Sequence, residues 1–120
     1  MSNNKSEEMY LETIYTIEKE KGHAHVVDIA AKLDVKKPSV IKAMTILKLK
    51  GYIKQKAYCP ITLTDNGRQA AEEVYQKHVL IKSYLVKTLG VSESLAEENA
   101  CEIEHVLSDE LVFAIKKFIE

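Results

Sequence analysis

The most constraining feature of this sequence is a short helical pattern, a tight turn, and a second helical pattern that starts at a proline. Val26–Leu33 has its apolar residues at helical spacing and is followed by the turn Asp34-Val35-Lys36-Lys37. Pro38 suits the first position of a helix, because its missing N–H would have no partner there and its φ is already helical. We predict that this helix runs to about Lys50 and ends at Gly51. Together the three segments predict a helix-turn-helix.

The period of the apolar pattern changes after the second helix. Tyr52–Tyr58 and Ile61–Thr64 read as two short strands, and Asp65-Asn66-Gly67 closes the second one. A β-hairpin at this place is the wing of a winged helix. Helical spacing predicts four further helices, at Glu8–Lys21, Arg68–Leu89, Ser92 to about Leu107, and Asp109–Phe118. We therefore predict a mainly α chain, with a winged helix-turn-helix domain over residues 1–70 and an all-helical region over residues 71–120.

Charge is divided unevenly along the chain. The net charge is -1, yet Val35–Thr64 contains seven lysines and no acidic residue, so the other residues sum to -8. Most of that negative charge lies in Val91–Glu120, where eight acids face two lysines. A lysine block inside an otherwise acidic protein is typical of an anion-binding surface. We expect double-stranded DNA as the partner, with the second helix of the helix-turn-helix in the major groove.

The lysine block and the wing supply the predicted DNA contacts. We assign Pro38, Ser39 and Lys42 to the groove, with Pro38 against a thymine methyl group. We assign the others mainly to phosphates: Lys36, Lys37, Lys48, Lys50, Lys54, Lys56 and Tyr58. For Lys42, Lys48 and Lys50 the alternative is a solvated side chain on the outer face of the helix.

Three different metal-binding side chains lie close together near the end of the chain. Cys101, Glu104 and His105 stand at i, i+3 and i+4 of a run that reads as helix, so a thiolate, a carboxylate and an imidazole point from one face. Such a trio also arises on ordinary polar helix faces that carry a buried cysteine. The spacing alone leaves both interpretations open.

Composition excludes several classes of protein. With 120 residues and 46% hydrophobic content, the chain can bury one core of ordinary size. No segment approaches the roughly 20 apolar residues of a membrane span, and the start is polar and acidic where a signal peptide would be basic and then apolar. We expect a cytoplasmic protein that does not associate with membranes. In that reducing compartment Cys59 and Cys101 are expected to be free thiols.

Several motifs together resemble the diphtheria-toxin-repressor (DtxR/MntR) family. The similarity follows the order of the family over nearly the whole chain, in Met9–Tyr15, Asp28–Ala30 with Pro38–Val40, Leu63–Gly67, and Cys101–Glu110. The resemblance implies a homodimeric repressor that binds palindromic operator DNA when loaded with Fe(II) or Mn(II), and so controls metal-ion homeostasis. It makes residues 71–120 a dimerisation and metal-binding region.

The resemblance also implies the metal ligands. In the iron-sensing branch a methionine of the first helix joins the Cys-Glu-His trio, which makes Met9, Cys101, Glu104 and His105 the primary site here. Thiolate and thioether are soft ligands and favour Fe(II) over Mn(II). Mn(II) is the alternative metal.

A second, ancillary metal site is implied with less support. Its ligands would be His78, Glu97 and Glu12, of which Glu12 and His78 match positions of the manganese branch. Lys82 stands where the iron branch has an acidic ligand, which weighs against this site.

The length of the chain and its last helices bear on assembly. The sequence stops at Glu120 without the SH3-like domain that iron-sensing relatives often append, so it resembles the short form of the family. Apolar residues of the last helices are expected to bury surface against a second copy, since symmetric half-sites need a symmetric pair of recognition helices. These residues are Leu85, Val106, Leu107, Leu111, Val112, Ile115 and Phe118. The alternative is that they close the core of the monomer.

Two other functions compete with this interpretation. A winged-helix regulator that is not gated by metal would keep the lysine block and the wing but leave Met9 and Cys101 as ordinary packing residues. A small metalloenzyme could use the same ligands with an open coordination position. The sequence has no separate general base or substrate-pocket motif, so we expect no enzyme and no small organic substrate.

Overall fold

The computed structural model describes residues 5–120, which form six helices and one small sheet. The helices are α1 (Lys5–Lys21), α2 (Val26–Leu33), α3 (Lys37–Leu49), α4 (Asp65–Leu89), α5 (Glu93–Ile103) and α6 (Asp109–Ile119), and the strands are β1 (Ile53–Lys54) and β2 (Thr62–Leu63). This order confirms the predicted winged helix-turn-helix followed by a helical region. Two compact units can be distinguished, the first ending at Glu72 and the second running from Glu73 to Glu120. None of the helices within residues 5–120 is long and apolar enough to cross a membrane.

Local hydrogen bonds and a tight turn define the two ends of α2 in the helix-turn-helix of the first unit. The carboxylate of Asp28 accepts a hydrogen bond from the backbone N–H of His25 (3.0 Å) at the start of α2, and another from Lys21 (3.1 Å). The hydrogen bond from Lys21, followed by the one from His25, holds the pKa of Asp28 below its usual value. At the other end of α2, Asp34 adopts a left-handed conformation (φ 55°), which makes the turn tight. The next helix begins at Lys37, so Pro38 is its second residue rather than its first.

The core of the first unit lies between its three helices. In α1, α2 and α3 the residues that are at most 1% exposed are Leu11, Ile14, Ile29, Val40 and Leu47. The apolar spacing that predicted the helices therefore also supplies the packed faces.

The wing is smaller than predicted and has an extra partner. Its two strands pair antiparallel over only two residues each, with Ile53 opposite Leu63. Residues 55–58, which were predicted to continue the first strand, instead form the tip of the hairpin together with Cys59 and Pro60. The backbone N–H of Ile61 donates to the carbonyl of Ala24 (2.8 Å), which adds an isolated bridge to the sheet. A single paired residue has no alternating pattern, so this bridge could not be predicted from the sequence.

Thr64 fixes the junction between the wing and α4. Its hydroxyl accepts a hydrogen bond from the backbone N–H of Gly67 (3.0 Å), which caps the helix and starts it at Asp65, three residues earlier than predicted. The same hydroxyl donates to the carbonyl of Gly51 (2.6 Å), just beyond the end of α3. Gly67 is buried, and a Cβ atom there would overlap the carbonyl group of Tyr52.

The second unit corrects one helix boundary that matters for the site. The sequence predicted a helix to about Leu107, but α5 ends at Ile103. The N–H of Val106 donates to the carbonyl of Ile103 (3.0 Å), which turns the chain, and the Ser108 hydroxyl then caps α6 by accepting from the N–H of Leu111 (3.2 Å). The prediction was wrong because apolar spacing continues through the turn, whereas the cap that starts the next helix ends the regular backbone.

The last helix exposes most of its apolar face. No residue of α6 is buried, and Leu111, Phe113 and Phe118 are 47%, 60% and 69% exposed. The ring of Phe118 makes an edge contact with Tyr84 of α4, with 5.7 Å between ring centroids. The alternative that the apolar residues of α6 close the monomer core is thus not met for Leu111 and Phe118, while Val112 and Ile115 are half-buried.

We expect Gly67→Ala to lower the free energy of unfolding by about 2–3 kcal/mol, because the added methyl group forces the start of α4 away from the carbonyl of Tyr52. Denaturant titration measures this loss. Asn66→Ala, at the exposed neighbouring position, is the control and should change stability by less than about 0.5 kcal/mol. Equal stability of the two variants would contradict the close approach.

Candidate metal centre and nucleic-acid interface

The centre of the candidate metal site is the carboxylate of Glu104, which has no exposed surface. Glu104 is the C-cap residue of α5, and its backbone N–H donates to the carbonyl of Ala100 (3.0 Å). One carboxylate oxygen lies 3.0 Å from Nδ1 of His78, and the other lies 3.2 Å from Nε2 of His105. Removing a carboxylate from water is costly unless polar or positive partners compensate it. Here two imidazole rings face it.

His78 connects this carboxylate to a second one. Its side chain projects from α4 and is 7% exposed. While Nδ1 faces Glu104, Nε2 lies 2.6 Å from an oxygen of Glu97 on α5. Since both ring nitrogens have an oxygen partner, the position and orientation of the imidazole are fixed.

Cys101 completes a group of three different donors. One donor atom from each of His78, Glu97 and Cys101 lies within 4.8 Å of the other two. Cys101 and Glu97 are exposed while His78 is buried, so this group opens toward solvent. Imidazole, carboxylate and thiolate together form a donor set that suits a divalent transition metal. Together with Glu104 and His105, the second unit therefore holds the types of donor atom that suit the metal ion implied by the sequence.

The structure groups these donors differently from the sequence. Cys101, which was assigned to the primary set, lies with His78 and Glu97, which were assigned to the ancillary set. Sequence spacing missed the closeness of His78 to Glu104, because the two residues are 26 positions apart and on different helices.

The remaining predicted ligands lie on α1 in the first unit. Met9 and Glu12 are both partly exposed. Met9 lines a hollow of about 360 Å³ together with Tyr10, Leu33 and Val35. Their part in a metal site stays a prediction from sequence.

The predicted DNA contacts are all exposed in the first unit. Those on or next to α3 are Lys36, Lys37, Pro38, Ser39, Lys42, Lys48 and Lys50, and those on the wing are Lys54, Lys56 and Tyr58. Tyr58 is fully exposed, and its backbone is left-handed (φ 62°). Exposure of the whole set keeps these side chains available to a polyanion.

Lys50 has an intramolecular partner that the sequence did not reveal. Its Nζ lies 2.7 Å from both carboxylate oxygens of Glu7 on α1, whose side chain is only 11% exposed. The two residues are 43 positions apart, so no local pattern joins them. The ammonium group of Lys50 is predicted to contact a DNA phosphate. Because it already pairs with Glu7, the Glu7 carboxylate and the phosphate would compete for Lys50.

Cys59 and Cys101 are both exposed, and neither forms a disulfide within residues 5–120. Cys59 lies at the tip of the wing in the first unit. The donor group belongs to other elements, α4 and α5, and is distant from Cys59 in the sequence.

Comparison with known proteins agrees with this division of the chain. Residues 4–59 match the family described as "Iron dependent repressor, N-terminal DNA binding domain". Residues 64–120 match the family described as "Iron dependent repressor, metal binding and dimerisation domain".

Individual relatives cover most of the chain. An uncharacterised helix-turn-helix transcriptional regulator of Methanocaldococcus jannaschii is 38% identical over 98% of this chain and 94% of its own length. The transcriptional regulator MntR of Escherichia coli is 33% identical over 92% of this chain and 71% of its own.

Solved structures share the fold. The manganese regulator SloR is 30% identical with a TM-score of 0.81, over 99% of this chain and 54% of that one. IdeR of T. acidophilum is 26% identical with a TM-score of 0.84, over 93% of this chain and 53% of that one. This chain therefore spans about half the length of these two structures.

A winged helix-turn-helix with exposed lysines, followed by a helical unit with clustered metal donors, defines a DNA-binding regulator with a metal-binding domain. With the matches to both of its domains, the chain belongs to the DtxR/MntR family of metal-dependent transcriptional regulators.

We expect Glu7→Gln to strengthen DNA binding by about two- to fivefold, the effect of releasing Lys50 from one partly exposed ion pair. The slope of log affinity against log salt should become steeper by about one unit, which is the change expected for one added phosphate contact. Fluorescence anisotropy over a salt series, at saturating metal, measures both quantities.

Two further variants test the cause. Glu20→Gln removes an exposed carboxylate that pairs with Lys32 (3.1 Å) and should leave the slope unchanged. Adding Lys50→Ala to Glu7→Gln should abolish the gain, and a gain that persists without Lys50 would contradict the competition.

Proposed function

We propose that this chain is an Fe(II)-dependent transcriptional repressor that binds palindromic operator DNA as a homodimer and thereby controls metal-ion homeostasis. Mn(II) is the alternative activating metal. The function rests above all on the buried Glu104 carboxylate, which two imidazoles face. One of them, His78, also belongs to the donor group with Glu97 and Cys101. Among the described residues no other carboxylate is fully buried.

The proposed primary ligands are Cys101, Glu104, His105 and Met9. Glu104 is supported by its full burial, His105 by the 3.2 Å between its Nε2 and a Glu104 oxygen, and Cys101 by its place in the donor group with His78 and Glu97. Met9 is supported by the family resemblance alone. When bound, a divalent ion supplies positive charge that neutralises Glu104. It also gives donors that are far apart in the sequence one common ion to bind.

Iron is proposed from the chemistry of the sulfur donors. A thiolate from Cys101 and a thioether from Met9 are softer than the oxygen ligands that Mn(II) prefers. The counterargument comes from relatives, since SloR is described as a manganese regulator. The two metals are therefore compared directly in the test below.

The ancillary set of Glu12, His78 and Glu97 remains a prediction. The structure adds that Lys82 lies 3.2 Å from Glu97, which weighs against a metal ion bound there.

The proposed homodimer is supported by the apolar surface of the second unit. α6 has no buried residue, and its exposed side chains include Leu111, Phe113 and Phe118. Exposed apolar surface on one face of a helix marks an interaction site. A second copy of the chain would cover it and present two recognition helices to the two halves of a palindrome.

The proposed control is positional. Met9 belongs to the unit that carries the helix-turn-helix, and Cys101, Glu104 and His105 belong to the unit proposed to dimerise. Residues that bind the same ion would be held together. This would restrict the distance between the two recognition helices of the dimer, which has to match the spacing of the operator half-sites. A coupling of about 1–3 kcal/mol is enough for a 5- to 150-fold change in DNA affinity.

We expect one palindromic sequence to be enriched from a random DNA pool only in the presence of metal. The selection is run anaerobically with Fe(II), with Mn(II) and with chelator, at about 0.15 M salt, because phosphate contacts make affinity depend strongly on salt. The stronger metal lane identifies the activating metal. Equal enrichment with chelator would show a winged-helix regulator that is not gated by metal.

We expect Cys101→Ala to weaken Fe(II) binding by more than about tenfold, because losing a ligand costs at least as much as losing a group that orients one. Competition with a chelating dye measures the affinity. Cys59→Ala, which removes the other exposed thiol, is the matched control and should bind metal normally. If the two variants bind Fe(II) equally, Cys101 is not a ligand.

A further inference from the structure

Lys82 lies beside the donor group formed by His78, Glu97 and Cys101. His78 and Lys82 are four residues apart on α4, and Glu93 and Glu97 are four apart on α5, so each pair shares a helical face. The two faces meet at Glu97. One of its oxygens lies 2.6 Å from Nε2 of His78, and the other lies 3.2 Å from Nζ of Lys82.

The position of Lys82 is supported from two sides. Its ammonium also lies 3.8 Å from a carboxylate oxygen of Glu93, and its side chain is 30% exposed, whereas Glu93 is 83% exposed. The charge on Lys82 is thus held at the mouth of the donor group by two acids on the facing helix. Partial burial weakens the screening of that charge by salt and water.

A divalent ion at this group would need the same carboxylate. Glu97 is the only carboxylate among the three donors that lie within 4.8 Å of one another. Lys82 already neutralises it, and a metal ion beside the ammonium group would be repelled by a like charge. Lysine has three donors and no acceptor, so it cannot become a ligand while it is charged.

We propose that Lys82 takes the place of a second divalent cation and sets the metal stoichiometry of this protein at one ion per chain. The side chain keeps Glu97 paired and so keeps a second ion from binding at His78 and Glu97, beside the Cys101 that is proposed as a ligand of the primary ion. This inference rests on the proposed function, in which one ion binds at the primary site.

The test counts bound metal directly. Purified full-length protein is dialysed anaerobically against Co(II) alone, which binds imidazole, carboxylate and thiolate ligands, and bound cobalt is counted per chain. We expect one ion for the unaltered chain. Lys82→Gln removes the charge and Lys82→Glu replaces it with a ligand, so both should bind two ions, with the second at least tenfold tighter in Lys82→Glu.

Control variants distinguish the effect of the charge on Lys82 from the effect of any substitution on the surface of α4. Lys82→Arg keeps the positive charge and should stay at one ion. Lys87→Gln removes an exposed lysine from the same helix and should also stay at one. Adding Glu97→Gln to Lys82→Glu should return the count to one, because the shared carboxylate is lost. Thermal melting followed by circular dichroism confirms that each variant is folded.

The outcomes distinguish the two proposals. Two ions on the unaltered chain, or one ion on both Lys82→Gln and Lys82→Glu, would overturn the role of Lys82. No ion on the unaltered chain but one on Lys82→Glu would overturn the primary site while supporting the role of Lys82. No ion on any variant would overturn both.

Discussion

The burial of one carboxylate, that of Glu104, is the constraint on which the candidate metal centre depends. A carboxylate without exposed surface has to be surrounded by groups that offset its lost hydration. The imidazole of His78 takes that role through a hydrogen bond to one oxygen, while the other oxygen lies 3.2 Å from Nε2 of His105, and Glu97 contacts the far side of His78. His78 thereby connects the buried acid to the donor group that Glu97 and Cys101 complete.

Charge in the first unit is organised by the same physical rule. The exposed lysines of α3 and the wing form a surface suited to phosphates, and they remain accessible because few acids of the unit reach them. Glu7 is the exception, since it lies 2.7 Å from Lys50. In the second unit Lys82 does the reverse, as a cation placed among acids. In each unit one residue of the opposite sign is thus paired with a member of the candidate site.

Much of the fold was readable from local patterns, and the failures have specific causes. The helix-turn-helix follows from apolar spacing with a tight turn and Pro38, and α2 has the predicted bounds. The bridge at Ala24 was missed because one paired residue carries no period. The early end of α5 was missed because the cap at Ser108 overrides a continuing apolar pattern. The partners of His78 and Lys50 were missed because they are 26 and 43 residues away.

The sequence by itself determined the order of elements, the lysine surface, and the kinds of donor atom available for a metal, since these depend on residue type and near-neighbour spacing. The family resemblance extended that reading to a metal-dependent regulator. Only the tertiary structure decided which donors lie together: it placed Cys101 with His78 and Glu97 and set Lys82 against Glu97. Distances between residues on different helices depend on how the helices pack, and packing is a property of the whole core rather than of any local segment.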